Sequence, residues 1–408
     1  MALQKGVSLG MAGSIYGPNP FTFANNQGFF NDTTGGAIPT RFVRIWASWP
    51  VLQPFSNYAM GVTPPGYVPP SPRITPSDAL QRLDDSIAAA NANAAGKINV
   101  ILVLKGTPEW ASTQNYDRFK YVPTDPSRNV NYQGTKSREQ LFPDSVDANS
   151  PWANMVKFLL QRYANAVDAS HRILALEIIN EPNFEYWPAV SPTAPCTVAQ
   201  MMITATAVGT AVNKQCFFTG PGLADSLTDG TKSYSYRDMT TGVANLLQQS
   251  NWHDTSWVWS HHNYNDVRHD MGSSTMAPDR ADTSKNRYVM RASYVPGDLQ
   301  SYSWGGYRDP ASGLPAVWIT EGGCNREHLA GTWGSAAVPG LWAASPSADL
   351  QQSVLLQRNH NRLVGPEGLA IGLMMNYLFT TSTDYDSGLC DAAGTKRTLP
   401  FQTWGGFA

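Results

Sequence analysis

The sequence predicts an α/β fold, a (β/α)8 barrel with long loops at the C-terminal face of its strands, and three observations carry that expectation. Short apolar runs rich in Val, Ile and Phe recur eight times. The segments between them are long enough to hold helices, the alternation that builds a parallel sheet from βα units. Two of the runs end abruptly in a glutamate, at the strand ends where barrels of this kind assemble their active sites.

The runs cover residues 7–10, 42–46, 98–104, 173–179, 216–220, 257–262, 316–320 and 369–375. Between them, amphipathic patterns predict helices over residues 76–95, capped by Thr75 or Ser77, and over 151–170, 197–216 and 348–364. Residues 50–72 are rich in Pro, Gly and Tyr, and residues 107–150 in Pro, Asn and Asp, so both read as long surface loops. No repeat of fixed period and no shift in composition marks a boundary. The 408 residues are therefore expected to form one elaborated barrel domain, with the Gly- and aromatic-rich tail 381–408 packing back on it.

Composition excludes several classes of function. Lys+Arg 29 against Asp+Glu 31 gives a net charge of −2, and no basic stripe is present to neutralise a phosphate backbone, so nucleic acid is not an expected partner. No run of about 18 apolar residues could span a bilayer. Thirteen Trp, 17 Tyr and 15 Phe supply flat faces of the kind that stack on sugars. No signal peptide is visible at the amino terminus, and secretion with the leader already removed is preferred over a cytoplasmic location. Oligomeric state is left open. The four cysteines, Cys196, Cys216, Cys324 and Cys390, lack zinc-ligand spacing. Cys324 and Cys390 follow neighbouring strands on one face, where a disulfide is geometrically allowed.

The strand-end glutamates carry the chemistry. Ile173-Leu-Ala-Leu-Glu-Ile-Ile-Asn180-Glu181-Pro182 places a carboxyl at the end of the fourth run, followed by Phe184, Tyr186 and Trp187. An apolar, aromatic-lined cleft favours its neutral form, which suits it to protonate a leaving oxygen. The Asn180 amide can donate to a substrate hydroxyl. Ala316-Val-Trp-Ile-Thr-Glu321-Gly-Gly ends the seventh run in a second carboxyl, with two glycines that allow close backbone approach. Two carboxyls on one barrel face are what glycoside hydrolysis requires. His262 and Tyr264 share a strand face at the end of the sixth run. His261 and His262 point to opposite faces and do not suit a shared ion, so no metal and no cofactor is expected. Trp46, Trp49, Trp110, Trp187 and Tyr377 fall at or beyond strand ends as candidate stacking platforms; Tyr234, Tyr236 and Trp304 lie in long loops.

With Asn180-Glu181 closing the fourth run and Glu321 the seventh, the sequence resembles the clan A glycoside hydrolases. That resemblance implies a retaining mechanism, with Glu181 as acid/base and Glu321 as nucleophile. It also implies that Arg44 supports the nucleophile and that His262 or Tyr264 bonds the nucleophile or the sugar. Within the clan, Gly106-Thr-Pro-Glu-Trp110 and Gly220-Pro221-Gly222 look like segments of family 39 and its relatives. Many family 39 xylosidases add a β-sandwich, whereas here only a short tail follows the eighth run. The plainer architecture is compatible with an exopolysaccharide or a glycan containing arabinose, galactose or glucose. The expected function is retaining hydrolysis of a carbohydrate's O-glycosidic bonds; the alternatives are a transglycosylase on the same site and a non-catalytic glycan-binding barrel.

Overall fold

The computed structural model describes residues 2–9, 39–70, 74–92, 97–112, 120–121, 134–135, 141–186, 193–226, 234–269, 281–282, 287–288, 290–324, 347–378, 386–391 and 395–407. Among them, eight parallel strands close into a barrel: β1 (Gln4–Ser8), β2 (Thr40–Ser48), β3 (Asn99–Lys105), β4 (Ala175–Glu177), β5 (Phe217–Thr219), β6 (Trp257–His262), β7 (Val317–Glu321) and β8 (Ile371–Tyr377). Each strand pairs with the next in sequence, and β8 pairs with β1 to close the ring. The expected α/β barrel is thus the observed one.

Alternation along the strands sorts the core into two compartments. One set of positions, Val43, Ile45, Val100, Leu102, Leu176, Phe218, Trp257, Trp259, Val317 and Ile319, belongs to the large cluster shared with the surrounding helices. The intervening positions, Phe42, Ile101, Ala175, Val258, Ala316, Trp318, Leu373 and Met375, form a separate cluster within the barrel. A strand buried on both faces explains why the sequence shows continuous apolar runs rather than alternation. Gly6 is required inside the ring, since a Cβ there would lie 2.6 Å from the Phe42 Cβ and 2.9 Å from Met375. Trp257 packs against Phe218 at 4.6 Å and Trp252 at 5.7 Å between ring centroids. A buried indole removes roughly 150–250 Å² from water, worth about 4–6 kcal/mol at about 25 cal/mol/Å².

The helices begin where short polar side chains can accept from free N–H groups. Thr75 caps α1 (Pro76–Asn91), Ser150 caps α2 (Pro151–Leu159), Ser235 caps α4 (Tyr236–Gln249) and Ser347 caps α6 (Ala348–Leu363). Each such cap contributes about 0.5–2 kcal/mol. Proline in the first turn of α1, of α2 and of α3 (Ala194–Ala211) fits positions whose N–H has no helical partner. The α2 segment is shorter than predicted: it widens into a π-helical turn at Leu160–Ala164, and the chain leaves the helix there. A short helix, α5 (Val295–Ser301), precedes β7.

The tail returns to the barrel's lower rim. In α7 (Thr398–Gly405) and just beyond it, Trp404 and Phe407 are buried. The Lys5 ammonium donates to the Trp404 carbonyl at 2.7 Å, and the Phe407 ring stacks on His360 at 4.3 Å. The four cysteines are not disulfide-linked, so the Cys324–Cys390 pairing that strand order leaves open is not made. Cys324 packs with Val267 and Leu355, whereas Cys390 belongs to the main core, so the two thiols occupy different clusters. No helix among the described residues is long and apolar enough to cross a membrane.

Candidate active site

The two glutamates reach the barrel mouth by different backbone devices. Strand β4 ends at Glu177, four positions before Glu181. Asn180 forms an isolated bridge with Gly222, and the Glu181 N–H donates to the Gly222 carbonyl at 2.7 Å. Glu181 itself adopts φ 43°, a left-handed conformation that costs a non-glycine residue about 1–3 kcal/mol and is characteristic of functional positions. Glu321 is the last residue of β7, where the register against β6 shifts between Ile319 and Glu321. Without that irregularity, strict alternation from Trp318 would point Glu321 away from the barrel interior.

The carboxyls meet over His262. One oxygen of Glu181, one oxygen of Glu321 and a ring nitrogen of His262 lie within 4.8 Å of one another. His262 Nδ1 is 2.7 Å from Glu181 Oε1 and 3.5 Å from Glu321 Oε2. The Tyr264 hydroxyl donates to Glu321 Oε2 at 2.7 Å, and Arg44 Nη1 donates to Glu321 Oε1. His262 and Tyr264 both approach Glu321, but they do not share a strand face as the sequence pattern predicts: β6 stops at His262 and Tyr264 opens a short helix, Tyr264–His269. His261 points away, its ring 5.4 Å from that of Tyr236, and burial drives its pKa down to about 3.

Electrostatics follow from this burial. Glu321 is 3% exposed, and desolvation raises its pKa above the usual carboxylate value, with Glu181 adding repulsion. Arg44, His262 and the Tyr264 hydroxyl act in the opposite sense. The influence expected of Arg44 is therefore present but does not outweigh desolvation. Burial, then the Arg44 charge, lower the His262 pKa, while Glu321 and Glu177 raise it. Neutral imidazole is the favoured form, so one ring nitrogen remains an acceptor. The spacing of Glu181, His262 and Glu321 would admit a cation. Both Glu321 oxygens are nevertheless committed to Arg44 and Tyr264, and His262 Nδ1 to Glu181, so these donors form a hydrogen-bonded acid/base cluster.

Three charged residues outside the expected set join the site. Arg44, fully buried, donates through Nη2 to Glu177 and to Asn180 Oδ1. Asn180 Nδ2 donates to Glu185 Oε2 at 2.8 Å, and Lys105 pairs with the same carboxylate. The expected substrate donor Asn180 is thereby held rigidly at both ends. Lys105 and Glu177 were detectable as charges at inward positions of apolar strands, where an ionised group needs a partner. Glu185 lies in the turn after Glu181, and only the folded chain brings it to Lys105.

The aromatic candidates divide. Tyr377 is half-buried at the mouth, its ring 6.0 Å from Tyr264 and 6.3 Å from Trp46. Trp46 is 5% exposed, with Lys105 Nζ 4.5 Å and Arg44 Cζ 5.5 Å from its ring, so it forms the floor beneath these cations. Trp110 is half-buried, anchored by its Nε1 to the Gln53 carbonyl and edge-on to Trp49 at 5.7 Å. Trp49 is no platform: it is fully buried, with Nε1 donating to Gln53 Oε1. Tyr236 and Trp304 are likewise core residues, and Tyr234 packs against the core. Trp187 lies outside the described residues.

No protein-family profile and no curated protein matches the chain. Solved structures do match. A glucosidase from Croceicoccus marinus aligns with a TM-score of 0.54 at 13% identity, over 99% of this chain and 67% of that one. A family 39 glycoside hydrolase from Bacteroides cellulosilyticus gives 0.53 at 13%, over 99% and 63%. A monomeric β-xylosidase from Caulobacter crescentus gives 0.53 at 14%, over 99% and 67%. The chain spans 63–67% of the length of these three. At such identities the likeness is one of fold, and that fold is the barrel of these glycoside hydrolases.

Proposed function

We propose that the protein is a retaining glycoside hydrolase acting on a polysaccharide or oligosaccharide, with Glu321 as nucleophile and Glu181 as acid/base. The observation that carries this reading is that one carboxyl oxygen of Glu181 and one of Glu321, both residues buried, lie within 4.8 Å of each other. Retaining enzymes hold their carboxyls about 5–5.5 Å apart, whereas inverting enzymes need about 6.5–9.5 Å to admit a water. The differing surroundings support the roles. Glu321 receives a guanidinium and a phenol, which favour the ionised form that attacks. Glu181 lies 2.7 Å from the His262 imidazole, a group with which a carboxyl can share and exchange a proton.

In the first step a Glu321 oxygen bonds to the anomeric carbon as the bond to the leaving oxygen breaks, and Glu181 gives that oxygen its proton. In the second, Glu181 takes a proton from water, whose oxygen bonds to the anomeric carbon and releases Glu321. Arg44 and Tyr264 stabilise the carboxylate at the start and the end of this cycle.

The test is sugar release from a panel of aryl glycosides and polysaccharides by wild type, Glu181→Ala and Glu321→Ala. The expected result is release by wild type, its loss in Glu321→Ala, and rescue of Glu181→Ala by azide with an azido sugar of retained configuration. Undiminished turnover in Glu321→Ala would overturn the assignment of the nucleophile.

A further inference from the structure

Glu177 is a buried carboxylate that the proposed reaction does not use, and it shares one guanidinium with the nucleophile. We infer that Glu177 is a positioning residue: it fixes Arg44 from the side opposite Glu321 and thereby sets how much positive charge the nucleophile receives. This inference rests on the glycosidase reading for its catalytic meaning, but not for its geometry.

The geometry is a fork with both tines occupied. Arg44 and Glu177 are each 0% exposed, on β2 and β4. Nη1 of the guanidinium serves Glu321, and Nη2 serves Glu177 and Asn180. A planar guanidinium held through both terminal nitrogens cannot rotate about its long axis, so its orientation toward Glu321 is set by Glu177. Gly222 keeps the space open. A Cβ there would lie 2.5 Å from Glu177 Oε1 and 2.9 Å from His262 Nε2. The segment whose carbonyl holds the Glu181 N–H therefore also backs Glu177 and His262.

Charge shows what the arrangement does. The titratable and charged groups around Glu321 and Glu177 are Arg44 on β2, Lys105 on β3, Glu181 and Glu185 after β4, His262 on β6, and Tyr264 and Tyr377 at the ends of the short helix and β8. Arg44 is the cation bonded to Glu321, and Glu177 competes for it. Two carboxylates on one guanidinium repel each other, so Glu177 holds the nucleophile's proton affinity higher than Arg44 alone would. A nucleophile less completely neutralised by its cation is the more reactive one.

The test compares Glu177→Gln, which keeps an oxygen for Arg44 but removes the charge, with Glu177→Asp, which keeps the charge on a shorter stem. In protein carrying carboxyl-13C glutamate, with Glu321→Gln assigning the resonance, the Glu321 titration is followed by NMR without any substrate. Glu177→Gln is expected to move the Glu321 midpoint downward by about one pH unit or more, and Glu177→Asp to leave it near the wild-type position. On an active substrate, the acidic limb of kcat/KM should move with it, and kcat in Glu177→Gln should fall about tenfold or more. An unmoved Glu321 titration in a Glu177→Gln protein of wild-type circular dichroism would overturn the inference. So would an upward movement. Absence of glycosidase activity in wild type would refute the proposed function and leave the NMR result to decide this one.

Discussion

Removing the Tyr264 hydroxyl tests the electrostatic description of the nucleophile with the smallest structural disturbance. Tyr264→Phe deletes one oxygen from a half-buried ring and leaves the ring's contacts with His262 and Tyr377 in place. The lost bond is a phenol donating at 2.7 Å to Glu321 Oε2. Hydrogen bonds to charged groups are worth about 1.5–3 kcal/mol, and about 1.36 kcal/mol corresponds to one pH unit. The hydroxyl lowers the Glu321 pKa, so its removal raises it. The ionised nucleophile then persists only at higher pH, and the acidic limb of the kcat/KM profile is expected to move upward by about one to two pH units. Above that limb, where Glu321 is ionised in both proteins, the variant should retain activity within about tenfold of wild type. The assay is a pH series of initial rates on whichever aryl glycoside the substrate panel identifies. A uniform fall at every pH with the limb unmoved would refute the reasoning and place the hydroxyl on the sugar instead.

Further outcomes follow from the same geometry. Burial raises Glu321 above its unfolded value, so its contribution to stability is fully present below the unfolded pKa and is lost as pH rises through the folded one. Glu321→Gln should therefore melt at a higher temperature than wild type at pH 7, with the difference closing below about pH 4; a lower melting temperature at pH 7 would contradict the desolvation account. Arg44→Met strips a buried cation from two carboxylates and is expected to cost about 3–5 kcal/mol in urea unfolding, a large part of a typical total of about 5–15 kcal/mol; a loss below about 1 kcal/mol would mean that the fork is not the network drawn here. Gly222→Ala must displace Glu177 or His262, and kcat/KM should fall about 10–100-fold with little change in melting temperature; unaltered kinetics would show that neither group needs its observed position.

Local pattern reveals what local forces control. The strands were readable because each run is apolar on both faces, and helix starts because the amphipathic patterns begin there, with Thr75 as a visible cap; that Ser150 and Ser347 cap the helices at 151 and 348 came from the structure. Glu181 and Glu321 were conspicuous because a carboxylate ending an apolar strand needs a reason to be there. The helix α4 was missed: its YRDMTTGVANLLQQ pattern is interrupted by two threonines and a glycine, and its apolar residues gain their meaning from packing beside α3 and α5. Of the candidate platforms, Trp49 turns out to be core, because a place beyond a strand end says nothing of burial until the chain folds.

The sequence by itself determined the order of the eight strands, the barrel, and the identity of the two strand-end glutamates, since these depend on periodicity and on residues near in the chain. Only the tertiary structure decided that β4 would stop at Glu177, that a register shift would turn Glu321 inward, and that Arg44 would be shared between Glu321 and Glu177. Those outcomes arise from closing eight strands into one ring: closure brings residues more than a hundred positions apart into a space with little water, where each charge must find its partner across the barrel.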